Sequence, residues 1–186
     1  MKGHRYFIEA AARIARRIGR VHFLLCGRGV EWSNPQLAGW IDSHQLRSRF
    51  HVLGPRSDMS RIQAALDVAV SASVSGEGFS NVVGEAMACS VPCVVTDVGD
   101  SADIVGETGI VVPPWEPQAL AKGLFTLLEA GPTRRNELGR AARNRIATHY
   151  AIDTITHRYA TLWQDVGAPG GGETLPVPSR DVKAAA

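Results

Sequence analysis

The sequence predicts an α/β fold of the doubly wound class, in which a mainly parallel sheet is covered by helices on both faces. Short apolar runs alternate along the chain with segments of helical periodicity. These runs are continuous and do not alternate between apolar and polar residues, which is typical of parallel strands buried on both faces. With 186 residues, the chain is long enough to bury one core of ordinary size.

Five apolar runs are the predicted strands, and helical segments precede, separate and follow them. The strands cover residues 21–27, 50–54, 67–73, 92–96 and 109–113. In the first helix, Phe7, Ala11, Ile14 and Ile18 recur at helical spacing. After the last strand, helical patterns cover residues 116–130, 133–150 and 151–166. Three residues are predicted to cap intervening helices at their N-termini: Asn34, Ser57 and Ser80.

The composition restricts the classes of protein to which the chain can belong. A formal charge of +2 predicts no nucleic-acid partner, and three cysteines without C-x-x-C spacing predict no zinc site. No apolar run approaches the roughly 20 residues that cross a bilayer, and no signal peptide is recognisable, so a cytoplasmic location is expected. Residues 1–166 are predicted to form the domain, and the Gly- and Pro-rich residues 167–186 a disordered tail.

Two glutamates, Glu77 and Glu85, flank a predicted loop that leads into a helix. In open α/β sheets, ligands bind where such loops follow the carboxyl ends of strands. Gly76 and Gly78 let the backbone approach a ligand, with a positive φ as a second expected reason for glycine at position 78. The free N–H groups at the helix start favour a phosphate, whereas the carboxylates favour hydroxyl groups.

A ligand with hydroxyl groups on both sides of a pyrophosphate satisfies both preferences, and a nucleotide sugar is such a ligand. The competing interpretation is structural. In that case Glu77 is an exposed loop residue and Glu85 an ordinary residue of a helix surface. The spacing of the pair alone does not separate the two interpretations.

The residues around this pair resemble the donor-binding region of the retaining, GT-B-fold glycosyltransferases of family 4, also called group 1 transferases. Residues 75–114 contain the E-x7-E pair followed by EAMA, a proline four residues later, T-D-x-G and T-G-x-x-V. The resemblance runs from Lys2-Gly3 to about residue 165. It implies the C-terminal, Rossmann-like half of a GT-B enzyme.

The resemblance also implies roles for individual residues. Glu85 would bind the ribose hydroxyls, Glu77 the hydroxyls of the donor hexose, and Lys2 would neutralise the diphosphate. Glu77 and Lys2 are thus the catalytic candidates. Backbone donors to the hexose and the distal phosphate would come from Gly78, Phe79, Ser80 and Asn81. The nucleotide base would lie near the turn that contains Gly54 and Arg56.

The reaction implied by the resemblance is transfer of a hexose from a nucleotide-diphosphate sugar to an acceptor hydroxyl, with retention and without a metal or other cofactor. The acceptor would be bound by an N-terminal domain outside these 186 residues, so the chain alone is expected to be inactive. Membrane association of the full enzyme is compatible with the resemblance. The alternative is a non-catalytic nucleotide-sugar-binding module or a truncated gene fragment.

A dinucleotide-binding oxidoreductase is a further alternative, because a G-x-G turn follows the first predicted strand. Trp32 replaces the third glycine of that motif, and no acidic residue ends the next strand. The chain therefore lacks two of the features that this class requires. Binding of NADH would discriminate the two classes.

The sequence departs from the family pattern at four places. Arg28 replaces an acid, Ser90 replaces a glycine, and Asp100 stands where glycine is common. The arginine and the strand that normally precede Lys-Gly are also absent. In the order 3-2-1-4-5-6 that strand is central, between residues 21–27 and 67–73. We therefore expect two unpaired strand edges, aggregation or partial unfolding of the isolated chain, and a natural protein that begins upstream.

Overall fold

The computed structural model describes residues 2–167, and it confirms the α/β class. The predicted tail lies outside the described residues, except for Gly167, which ends the last helix. The strands are β1 (Phe23–Leu25), β2 (Phe50–Val52), β3 (Ala69–Ser71), β4 (Cys93–Thr96) and β5 (Ile110–Val112). The helices are α1 (His4–Arg17), α2 (Pro35–Ser43), α3 (Met59–Ala64), α4 (Asn81–Ala88), α5 (Ser101–Val105), α6 (Pro117–Glu129), α7 (Gly131–His149) and α8 (Ile152–Gly167).

All five strands lie within the runs predicted from the sequence, and every ladder between them is parallel. They form two sheets, one with the order β1-β2 and one with the order β3-β4-β5. Neither β1 nor β3 pairs with another described strand on its remaining edge. The two strands that were expected to have an unpaired edge, β1 and β3, therefore have one within the described chain.

We predict from these two edges that the isolated 186-residue chain self-associates. An unpaired edge of apolar residues is a template for pairing with another chain, and each buried backbone group without a partner costs about 1–3 kcal/mol. Size-exclusion chromatography with light scattering measures the state directly. A monodisperse monomer that melts cooperatively would contradict the prediction.

The described residues divide into two compact units, residues 2–148 and 149–167. In the first unit, α1 packs against α6 and α2, and its Phe7 ring lies 6.0 Å from Phe23 and 6.1 Å from Phe50. The core extends through the fully buried Val94 of β4 to Leu120 of α6. No helix of the described chain has the combined length and apolar character that crossing a bilayer requires.

Of the three residues predicted to cap helices, two occupy the N-cap position and one of these makes capping hydrogen bonds. Asn34 caps α2 as predicted, because its side-chain oxygen accepts hydrogen bonds from the amides of the next turn, at 3.1 and 3.2 Å. Ser57 is not a cap: α3 begins at Met59 after Asp58, whose carboxylate is bound instead by Arg56. Ser80 holds the N-cap position of α4, but its side chain makes no capping bond.

Candidate functional site

Glu77 lies in the loop between β3 and α4, where two donors hold one of its oxygens. Lys2 Nζ and Ser73 Oγ each lie 2.5 Å from Glu77 Oε1. Only 8% of the Glu77 side chain is exposed, against 66% for Lys2. Burial raises the pKa of Glu77, but the hydrogen bonds from Lys2 and Ser73 and the Lys2 charge outweigh it and hold that pKa below its usual value. The carboxylate is therefore ionised at neutral pH.

Gly3 places Lys2 beside this loop, although Lys2 and Glu77 are 75 residues apart in sequence. Gly3 is left-handed, with φ 67°, and a Cβ built on it would lie 1.7 Å from the carbonyl oxygen of Ala72. The chain therefore enters α1 in direct contact with the backbone that precedes Ser73. An ion pair between Lys2 and Glu77 is not among the sequence predictions, because nothing local to either residue indicates it.

The segment after β4 supports the same loop. Thr96 Oγ1 donates to the carbonyl of Ser73 at 2.5 Å, and the amide of Asp100 donates to the carbonyl of Gly78 at 3.3 Å. Gly99 has φ 60°, and a Cβ there would lie 2.4 Å from the Glu77 carbonyl oxygen. The T-D-x-G motif quoted above thus has a structural role that the sequence did not reveal: it fixes the backbone of the Glu77 loop.

The N-terminus of α4 follows this loop directly and carries two features of an anion site. Its first turn contains no acidic side chain, so the positive end of the helix dipole is not neutralised there. Ser80 is 2% exposed, and its hydroxyl has no hydrogen-bond partner within the described part of the chain. This hydroxyl is therefore free to form a hydrogen bond with a ligand or a water molecule at the start of α4.

The two glycines of the loop, Gly76 and Gly78, have different backbone conformations. Gly76 is left-handed, with φ 73°, whereas Gly78 does not have a positive φ, so that part of the prediction is wrong. A Cβ on Gly78 would meet no atom within 4 Å. The fold would therefore accept a side chain at position 78. The remaining reason for a glycine there is that a ligand approaches the backbone closely. The neighbouring Phe79 and Asn81 are exposed.

The remaining candidates lie on α4 and in the turn after β2. Glu85 is exposed on α4, and its side chain has no ion-pair or hydrogen-bond partner among residues 2–167. Gly54 has φ 66° and exchanges backbone hydrogen bonds with Gly27 and Val30 in the turn after β1. Arg56 makes two hydrogen bonds of 2.8 Å to Asp58, which lower the pKa of that carboxyl group. These bonds link Gly54 to the turn after β1 and Arg56 to the N-cap residue of α3, and none of them involves a residue of the Glu77 loop or of α4.

Residues 1–130 match the family model described as glycosyl transferases group 1, so the chain belongs to this family. Over 161 residues it is 27% identical to N-acetyl-alpha-D-glucosaminyl L-malate synthase of Bacillus anthracis, a match that covers 86% of this chain and 41% of that protein. The chain spans less than half the length of the curated relatives it matches.

Two solved structures locate the match within the GT-B fold. The C-terminal domain of a group 1 family protein, LpcC, from Francisella tularensis is 26% identical with a TM-score of 0.69, covering 81% of this chain and 80% of that one. Anabaena Alr3699/HepE in complex with UDP-glucose is 26% identical with a TM-score of 0.77, covering 88% of this chain and 45% of that one. The chain thus has the fold of the C-terminal GT-B domain.

Proposed function

We propose that this chain is the donor-binding half of a retaining glycosyltransferase, which moves a hexose from a nucleotide-diphosphate sugar to an acceptor hydroxyl. The observation that carries the proposal is the anchored carboxylate of Glu77 directly before the N-terminus of α4. A carboxylate accepts hydrogen bonds from sugar hydroxyls, and a helix N-terminus binds phosphate. The solved UDP-glucose complex of Anabaena Alr3699/HepE supports a ligand of this class.

In this scheme the residues divide between the two ends of the donor. Lys2 and the N-terminus of α4 stabilise the charge that develops on the leaving diphosphate. Glu77 binds the hexose and Glu85 the ribose. Backbone amides at Gly78, Phe79, Ser80 and Asn81 contact the hexose and the distal phosphate, and the turn with Gly54 and Arg56 lies near the base. The acceptor is bound by another domain, and the protein acts in the cytoplasm.

Calorimetric titration tests the proposal. The titrated species is the 186-residue chain or, where that chain self-associates, the same chain fused to the N-terminal half of a group 1 transferase. Uridine, guanosine and adenosine diphosphates and their hexose conjugates are the ligands, and NADH is the control for the oxidoreductase alternative. We expect one nucleotide series to bind and NADH not to bind. A folded protein that binds none of the series would overturn the proposal.

Glu85→Gln should weaken binding of the nucleoside diphosphate. The carboxylate would accept two ribose hydroxyls, and hydrogen bonds to a charged acceptor contribute about 1.5–3 kcal/mol, which is roughly tenfold to a hundredfold in affinity. Glu107→Gln is the matched control, because Glu107 is also exposed but precedes β5 at the opposite edge of the sheet. Unchanged affinity in a folded Glu85→Gln protein would remove the ribose assignment.

Glu77→Gln should have different effects on the affinity for the free nucleoside diphosphate and on the affinity for the nucleotide sugar. The substitution removes the negative charge and replaces one of the two acceptor oxygens with an amide donor, which weakens the hydrogen bonds to the hexose hydroxyls. It also weakens the contact with Lys2, which remains available to the diphosphate. We therefore expect the free diphosphate to bind almost normally and the intact nucleotide sugar to lose affinity. Titration of both ligands into the same variant makes the comparison. Equal losses for the two ligands would refute the assignment of Glu77 to the hexose.

A further inference from the structure

The hydrogen bonds to Glu77 are unequal between its two carboxylate oxygens. Ser73 Oγ and Lys2 Nζ both donate to Oε1, each at 2.5 Å. No hydrogen bond from the described residues reaches Oε2. Oε1 is held by two protein donors, whereas Oε2, which no donor among residues 2–167 binds, can accept a hydrogen bond from a hydroxyl of a ligand.

We propose that Ser73 is a positioning residue for donor recognition: its hydroxyl fixes Oε1 of Glu77 so that Oε2 is presented to the hexose. The proposal rests on the proposed function, because it requires the hexose to bind at Glu77. Ser73 lies outside the motifs quoted above for residues 75–114, and the pair of glutamates does not include it. Ser73 acts through Glu77 and does not itself contact the sugar.

Ser73 is rigid enough for this role, because it is held at both its hydroxyl and its backbone. It is 2% exposed and follows β3 by two residues. Its carbonyl accepts a hydrogen bond from Thr96 Oγ1 on β4, and that contact does not depend on the serine side chain. Removing the hydroxyl should therefore release the carboxylate of Glu77 while the backbone of the loop stays anchored.

Lys2 cannot replace Ser73 as the fixed donor. Its side chain is 66% exposed, and an exposed lysine retains much of its rotamer freedom. A bound diphosphate also competes with Oε1 for the same ammonium group, since both are anionic. When the donor binds, Ser73 is then the residue that continues to hold Oε1.

The test compares two ligands in Ser73→Ala and in the unsubstituted protein, prepared in the soluble form described above. The quantity measured is the ratio of the affinity for the nucleotide sugar to the affinity for the nucleoside diphosphate. Loss of a hydrogen bond that orients a charged acceptor should lower this ratio about tenfold, with little change in diphosphate affinity. Ser43→Ala is the control, because the hydroxyl of Ser43 also donates a hydrogen bond, at 2.8 Å to the carbonyl of Trp40, but Ser43 lies on α2 and not in the Glu77 loop. We expect that control to leave the ratio unchanged.

Three results would overturn the inference. An unchanged ratio in Ser73→Ala shows that the hydroxyl does not position Glu77, and equal loss of both affinities with a lower Tm shows that it serves folding only. Failure of the unsubstituted protein to bind any nucleoside diphosphate refutes the proposed function itself, and this inference with it. If Ser73→Ala does not fold, Ser73→Cys replaces it, because a thiol of similar size is a weak donor and should lower the ratio in the same way.

Discussion

Gly3→Ala should destabilise the protein by about 2–5 kcal/mol, because it combines a conformational cost with a steric clash. A non-glycine residue in the left-handed region costs roughly 1–2 kcal/mol, and overpacking a close contact costs about 1–3 kcal/mol. At Gly3 the φ is 67°, and the added Cβ would lie 1.7 Å from the carbonyl oxygen of Ala72. Because the clashing atom belongs to the backbone of another segment, α1 or β3 must move. Chemical denaturation of the soluble protein measures the loss.

Gly131→Ala is the matched control for this prediction. Gly131 has φ 79°, but a Cβ there would meet no atom within 4 Å. Its substitution should therefore incur only the conformational cost, about 1–2 kcal/mol. If Gly3→Ala and Gly131→Ala lose the same stability, the contact between Gly3 and Ala72 contributes nothing. The additional loss in Gly3→Ala should be accompanied by weaker ligand binding, because movement of Gly3 displaces Lys2 from Glu77.

The elements of the fold could be predicted from local patterns. Strands β1 to β5 lie within the apolar runs of the sequence, as expected for parallel strands. Burial on both faces is complete only in β4, because His51 of β2 and Val111 of β5 are exposed. Asn34 was recognisable as a cap because Pro35 follows it. Ser57 failed as a cap because the chain enters α3 one residue later, at Asp58. The short helix α5 was not predicted, because five residues are too few for a periodic pattern.

The division of the strands into two sheets could be predicted from the topology of the fold class rather than from local patterns. In a doubly wound sheet the spatial order of the strands follows from their order in the chain, so β1 and β2 are expected on one side of the centre and β3 to β5 on the other. The two observed sheets have that membership. The association state of the isolated chain does not follow from the ladder pattern alone and stays a prediction.

The candidate site was predictable only in part, because its loop is local and its supports are not. The pair of Glu77 and Glu85 and the small residues between them are visible in nine consecutive positions. The ion pair with Lys2 depends on the packing of Gly3 against Ala72, a contact between distant segments. Ser73 resembled any small residue in an apolar run, and its position four residues before Glu77 was the one available signal.

Gly78→Val should abolish binding of the nucleotide sugar, a loss of at least about a hundredfold, and leave the Tm nearly unchanged. In the chain itself a Cβ at this position meets no atom within 4 Å, and φ is not positive, so the folded state accommodates a side chain. The same open space is where the backbone approaches the ligand in the proposed function, and a branched side chain would occupy it. Calorimetry and thermal melting on one preparation measure both quantities.

Gly19→Val is the control, because Gly19 is equally open and has no positive φ, but it follows the C-terminus of α1, away from the Glu77 loop. It should change neither ligand binding nor the Tm appreciably. Gly99→Val is a second control with the opposite expectation. Its Cβ would lie 2.4 Å from the carbonyl oxygen of Glu77, so this substitution should lower both the Tm and the affinity for the ligand. A Gly78→Val protein that loses stability and retains affinity would show that this glycine serves the fold of the loop, and that the ligand does not approach the backbone there.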